Sequence, residues 1–328
     1  MTDTRTHAVT LIPGDWIGPE TVAVTQRVLS ALGVNIDWRT YECHGDEIPD
    51  GLLASARETG VVLKGKVGAQ REKGKLPATV TLRKELATWA TVRAVRALPG
   101  GEARYPETDI VVVRETSEDI YSGMEHEITD GVYEAVKVTT QAACERIARF
   151  AFDYARAHGR KRVTIVHKSN IMKKSDGLFL KTAQAVSMDY EDIGCDEVIV
   201  DALCMRLVRD PNQFDVLLCG NLFGDIVSDL ASGLAGGIVA SASYSVGDDV
   251  AIFENPHGKA PELVGQDAAN PLPMLRAAKH MLRHLGEDAA AARLIQAIEG
   301  VVAAGIVTQD QGGSSRCSEV EAAVMARI

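Results

Sequence analysis

HAVTLIPGDWIGPETVAVTQRVLSALG, residues 7–33, decides the fold class. Residues 7–12 are a short apolar run with the β-branched content of a strand. Residues 19–32 then repeat apolar side chains at helical spacing. Pro19 falls in the first turn, where its missing N–H is harmless, and Gly33 stands just past the end. Strand, loop, helix is the unit of an α/β protein, and it recurs along the chain. The loop between strand and helix lacks G-x-G, and no two glycines anywhere have that spacing. The dinucleotide fingerprint of a Rossmann site is therefore absent, and any nucleotide must be held differently.

Outward from that unit, residues 35–41 and 61–63 read as strands, with a helix at 52–58 between them. Residues 82–89 read as helical and 92–97 as extended. Residues 110–113 are a continuous β-branched run, as expected of a strand buried on both faces. EHEITDGVYEAVKVTT, residues 125–140, alternates around Asp130-Gly131 and predicts a hairpin. A helix follows over 140–158. Strands are expected at 163–166, 198–200 and 216–218, a helix at 222–234, and mostly helix from Pro271 onward. The turn-rich PGGEARYPETD at 99–109 is the first candidate domain crossing.

A chain of 328 residues is natural for two domains. Its 45 acidic against 35 basic side chains, a net charge of −10, argue against nucleic acid or an anionic membrane as partner. No apolar run approaches the ~18 residues of a membrane span. The first residues carry no hydrophobic signal core, so a cytoplasmic location is expected. Six scattered cysteines without C-x-x-C read as reduced, mostly buried thiols.

The chemistry-bearing residues form three groups. In NLFGDIVSD, residues 221–229, Asp225 and Asp229 are spaced i, i+4 on one helix face, roughly 6 Å apart. Such oxygen ligands suit Mg²⁺ or Mn²⁺, although acids in a first helical turn also answer the helix dipole. Asp201 closes DEVIVD, read as the end of a strand, where open α/β sheets place site residues. Arg83, Arg93 and Arg114 could clamp a polycarboxylate if they converge, or lie apart on the surface. Lys168, after the strand VTIV, could move a proton if desolvated or charge-paired. The stretch KGKVGAQREKGK, 64–75, is the most basic in an acidic chain. His280 and His284 have metal-like spacing but end a helix, where cationic side chains are ordinary.

Together these segments resemble the metal-dependent β-decarboxylating dehydrogenases of the isocitrate/isopropylmalate dehydrogenase family, which includes homoisocitrate and tartrate enzymes. The carrying motifs are IPGDWIGPE (12–20), LRKELATWATVR (82–93), VVRETSEDIYSGMEH (112–126), HKSNIMKKSDGLF (167–179), NLFGDIVSDL (221–230), HGKAPELVGQDAANP (257–271) and the final GGSSRCSE. The wording of the third and fourth looks closest to NAD-linked isocitrate enzymes. The resemblance implies a two-domain α/β fold, distinct from the Rossmann fold, with a β-hairpin dimerisation arm around 121–140. Residues 1–98 with 236–328 would form a large cofactor-binding domain, and 99–235 the small one.

The implied reaction is NAD-dependent oxidative decarboxylation of a 3-substituted malate, a small polyanionic 2-hydroxy acid, with Mg²⁺ or Mn²⁺. Isocitrate or an anionic analogue such as phosphonomethylmalate is expected, with homoisocitrate or isopropylmalate as alternatives. A non-catalytic regulatory subunit is the alternative of another class. By the same resemblance Arg83, Arg93 and Arg114 would bind carboxylates, and Asp225 and Asp229, with Asp201 from a second subunit, would hold the metal. Lys168 of that subunit would help remove the hydroxyl proton, and Tyr121 would protonate the enolate. His257, Gly258, Ala260, Pro261, Glu262, Leu263 and Asn270 would hold the cofactor's adenosine half, with Asn170 also on the cofactor. Glu262 would repel a 2′-phosphate and select NAD. Shared active sites make a homodimer the expected partner.

The chain departs from the family pattern at three places. Trp16 replaces a glycine in the first motif. Pro77, Ala78 and Thr79 stand where isocitrate enzymes have Ser-x-Asn, and Gly68-Ala69 where they have Thr-Thr. Thr79 and Lys73 are the expected substrate contacts in this altered loop, whose extra cations predict an anionic substituent on C3.

Overall fold

The computed structural model describes residues 5–68, 77–254 and 258–328, so Lys73 and His257 lie outside the described residues. The chain divides into two compact units, Met1–Thr88 with Ala97–Pro106 and Gly236–Ile328, and Trp89–Arg96 with Glu107–Ala235. The first unit opens with β1 (Thr6–Ile12), α1 (Gly18–Ala31), β2 (Asn35–Thr40), α2 (Leu52–Thr59), β3 (Val61–Lys64) and α3 (Ala78–Glu85). In the second lie β4 (Ala90–Arg96), β5 (Asp109–Glu115), β6 (Glu125–Thr129), β7 (Val132–Ala135), α4 (Gln141–Ala157) and β8 (Arg162–His167). It continues with α5 (Ser175–Ser187), β9 (Gly194–Ile199), α6 (Val200–Arg209), β10 (Val216–Cys219) and α7 (Asn221–Leu234). The chain then returns to the first unit with β11 (Ser241–Val246), β12 (Ala251–Glu254), α8 (Leu272–His284), α9 (Asp288–Ala303) and α10 (Cys317–Met325).

In the first unit the strand order is β2-β1-β3-β12-β11, parallel except for the last pair. One sheet face buries Val9, Leu11, Leu63 and Phe253 against α1, α8 and α9. The other packs Ile12, Val62 and Ile252 on Leu52, Ala56 and Leu82 of α2 and α3. Both faces are covered, which is why β3 reads as an unbroken apolar run rather than an alternation. Thr10 is buried on the α2 side and satisfied there by Ser55 at 2.8 Å and Thr59 at 3.0 Å. The loops after β1 and β3 meet backbone to backbone: a Cβ on Gly65 would lie 2.0 Å from the Pro13 carbonyl oxygen.

The second unit repeats the plan with order β4-β5-β10-β8-β9, antiparallel only between β4 and β5. Val111, Val112, Val113, Ile165 and Leu217 are fully buried in it, with Ile147 and Phe152 of α4. β6 and β7 form a separate two-stranded hairpin in which every residue is exposed. Among the described residues no helix is long and apolar enough to cross a membrane, and all six cysteines are free.

Three sequence expectations need correction. The helix expected at 82–89 is α3, Ala78–Glu85, and Ala87 at φ 48° turns the chain toward β4. Asp201 does not end a strand: β9 stops at Ile199, and Asp201 lies in the first turn of α6. Residues 89–96 belong to the second unit, because β4 pairs with β5 along its whole length, whereas 97–106 belong to the first.

Candidate active site

Arg114, at the end of β5, is the centre of the second unit's polar cluster. Its guanidinium pairs with Asp225, and Nε and Nη2 donate to Asn221 Oδ1 at 3.0 and 2.7 Å. It also lies 5.2 Å from the Tyr121 ring centroid. The Tyr121 hydroxyl donates to the other oxygen of Asp225 at 2.8 Å. Burial first, then that hydrogen bond, raises the phenol above its ordinary pKa. α7 passes close enough for this because residue 224 is glycine: a Cβ there would sit 2.6 Å from Arg114 Cγ.

One turn further along α7, Asp229 is 75% exposed and pairs with Arg93 of β4 at 3.3 Å. Arg93 and Arg114 lie on adjacent antiparallel strands, which brings both guanidiniums to the carboxylates of one helix. Lys168, after β8, pairs with Asp201 on α6, and this ammonium holds the exposed Asp201 carboxyl below its ordinary pKa. Asp201, Asp225 and Asp229 do not gather within one chain. Among the described residues, the only trio of His, Cys, Asp or Glu with ligand atoms within 4.8 Å is Glu20, Asp267 and Cys317. A metal on Asp225 and Asp229 would therefore take its third carboxylate from elsewhere, as the shared-site expectation requires. The donors themselves fit a hard divalent ion, being oxygen only and partly exposed.

Arg83 lies in the first unit, one turn after Thr79 on α3, and is bound to the buried carboxylate of Glu254. Lys64 meets the same carboxylate at 2.7 Å. Burial alone would push Glu254 up; Arg83 and Lys64 outweigh it and hold it well below the carboxylate range. Glu254 escaped the sequence reading, and Lys64 and Asn221 entered it only as members of the basic stretch 64–75 and of the motif 221–229. The only signal was position, since Lys64 and Glu254 close parallel strands and pair in register.

The first unit also contains a cavity of about 350 Å³ lined by Ile17, Gly258, Ala260, Leu263, Asn270 and Gln309. Ala260 is left-handed at φ 43° and starts the turn Pro261–Leu263. Four of the expected adenosine residues thus line one recess, which fits a flat ring and a sugar. Glu262 and Pro261 are exposed on the turn itself. Asn270 donates to Asp310 at 2.9 Å and accepts from the Leu272 N–H at 3.0 Å. It shapes the wall with its fixed amide. Asn170 is exposed in the turn after Lys168, in the second unit. Trp16 adopts φ 53°, the left-handed region a glycine would occupy at no cost. Its ring closes against Gly68 and lies 5.0 Å from the Lys259 ammonium. His280 is buried beside the Tyr244 ring, and His284, exposed at the end of α8, has the Phe253 ring as its neighbour.

The family described as isocitrate/isopropylmalate dehydrogenase matches residues 8–324. The chain belongs to this family. It is 42% identical over 330 residues to a probable mitochondrial isocitrate dehydrogenase [NAD] subunit alpha of Caenorhabditis elegans, covering 98% of this chain and 92% of that one. It is equally 42% identical, over 335 residues, to a mitochondrial isocitrate dehydrogenase [NAD] regulatory subunit 2 of Arabidopsis thaliana, covering 99% and 91%. The crystal structure of isocitrate dehydrogenase from Methylococcus capsulatus superposes with a TM-score of 0.92 at 40% identity, covering 98% and 99% of the two chains. Both sequence relatives are mitochondrial, so the cytoplasmic expectation gains no support from them.

Proposed function

We propose that the protein is an NAD-dependent decarboxylating dehydrogenase that acts on isocitrate or on a 3-substituted malate with an anionic C3 group, using Mg²⁺ or Mn²⁺. The observation that carries this reading is the convergence of Arg114 and Tyr121 on Asp225, with Asn221 accepting from Arg114 and Arg93 on Asp229 one turn away. Family relatives named for NAD-linked isocitrate oxidation support the reaction class.

When bound, NAD accepts the C2 hydride, and a divalent ion on the aspartates stabilises negative charge on the former hydroxyl oxygen. Arg93 and Arg114, with Arg83, anchor the carboxylates as permanent cations and never compete for protons. The hydroxyl proton leaves toward the partner subunit's Lys168, which takes it up in the neutral amine form. Breaking the C3–carboxylate bond releases CO₂ and leaves its electron pair on the enolate, and the Tyr121 hydroxyl supplies the proton that completes C3. Lys66 and Arg83, which flank the altered segment in sequence, favour an anionic substituent over the isopropyl group, whereas Lys64 is buried against Glu254.

A homodimer with shared sites completes the reading. It is supported by the separation of Asp201 from Asp225 and Asp229, and by apolar groups left exposed on the hairpin and on α6 and α7: Ile128, Tyr133, Met205 and Ile226. A regulatory-subunit reading is favoured by the relatives of Arabidopsis thaliana and Dictyostelium discoideum that are named as regulatory subunits. NADH formation should require both a divalent ion and one of a panel of isocitrate, homoisocitrate, isopropylmalate, tartrate and phosphonomethylmalate, with the anionic members highest in kcat/KM. No NADH from any of them would leave the regulatory reading in place.

A further inference from the structure

Just after β7, at the base of the exposed hairpin, Lys137 reaches inward between two carboxylates that are each more than nine-tenths buried. Its ammonium lies 3.1 Å from Asp119 Oδ1 and 3.2 Å from Asp176 Oδ1, with the Phe223 ring centroid at 5.4 Å. Each carboxylate then fastens backbone that bears a site residue. Asp119 accepts from the Ile120 N–H at 2.8 Å, beside Tyr121, and from the Leu222 N–H at 3.1 Å, in the first turn of α7. Asp176 accepts from the Lys168 N–H at 2.6 Å. Asp119 does this from φ 76°, a backbone conformation that side chains rarely adopt and that surrounding contacts must hold.

We propose that Lys137 is a positioning residue that joins the two halves of the machinery this chain supplies. One half is Tyr121 with Asp225 and Asp229, used in its own site; the other is Lys168 with Asp201, lent to a partner. The inference rests on the shared-site dimer proposed above. A single ammonium is paired with both buried carboxylates, so each holds its amide without being an unpaired buried charge. Losing it loosens the Tyr121 turn and the Lys168 loop together, although no contact to substrate is removed.

Lys137→Met tests this with two readouts in the intact oligomer. Amide hydrogen exchange at Ile120, Leu222 and Lys168 should accelerate by about tenfold or more. With the best substrate of the panel, kcat should fall by about tenfold or more while KM stays within about threefold, since the arginines are untouched. Lys137→Arg, which keeps the charge, should recover part of the loss. Wild-type exchange rates together with kcat within about twofold of wild type would overturn the proposal. If Lys137→Met does not fold, Lys137→Gln decides, because it keeps a donor of similar length but not the charge. Faster exchange at both Leu222 and Lys168 supports the link, and unchanged exchange at either overturns it. Exchange does not depend on turnover, so a wild-type chain that reduces no NAD would fault the functional reading and leave the link still measurable.

Discussion

At the scale of single residues, two positions carry opposing terms that mutation can separate. Trp16 sits left-handed at φ 53°, which costs a non-glycine residue roughly 1–2 kcal/mol. Against this stand its ring on Gly68 and the nearby Lys259 ammonium. Trp16→Gly removes both the strain and the ring, whereas Trp16→Ala removes only the ring. Chemical denaturation should therefore find the alanine variant less stable than the glycine variant by about 1 kcal/mol; the opposite order would show that the backbone is not strained there. Glu254 is the second position. Its folded-state pKa lies well below its unfolded value, so its stabilising effect is full above about pH 4.5 and is lost as pH falls toward the folded value. Glu254→Gln leaves Lys64 and Arg83 facing each other without their anion. It should cost roughly 3–5 kcal/mol near neutrality, and the remaining acid limb of stability against pH should be shallower than in wild type. Equal acid limbs in the two proteins would place the titrating group elsewhere.

At the scale of elements, the helix that carries the candidate metal ligands is placed by a missing methyl group. Gly224 lets α7 lie against the stem of Arg114, where a Cβ would come within 2.7 Å of both Cβ and Cγ. Those atoms are close to the β5 backbone and cannot swing away, so Gly224→Ala must move either the helix or the guanidinium. A drop of about tenfold or more in kcat/KM is expected, with secondary structure by circular dichroism unchanged; full activity would mean that Arg114 tolerates displacement. Elements of this kind were legible in the sequence because their periods are local: β5, α4 and α7 show their buried faces in their own residues. What was not legible depended on strands meeting. Glu254 looks like any acid closing an apolar AIF run until β12 is seen beside β3, which sets it next to Lys64. Asn221 likewise looks like a helix-start residue until Arg114 is found donating to it twice. The helix misplaced at 82–89 has the same origin, since Leu82, Leu86 and Trp89 keep helical spacing across the turn that leads up to β4.

At the scale of the whole molecule, the shared-site dimer makes a quantitative claim. Within one chain Tyr121 touches Asp225, while Lys168 is held by Asp201, so the expected catalytic groups form two separate pairs. If each site takes one pair from each subunit, Tyr121→Phe and Lys168→Ala cripple different halves of the same site. Either variant alone should be inactive in the complete reaction. Co-refolding equal amounts should produce mixed dimers in about half of cases, each with one site containing both native groups and one containing neither, so activity returns to about a quarter of wild type. Sites built from one chain alone would give no recovery at all, because no subunit in the mixture holds both residues. The same mixture of Tyr121→Phe with Asp225→Asn should stay inactive, since those two residues are assigned to the same half. Recovery there would show that the halves are divided differently from the pairing seen in the chain.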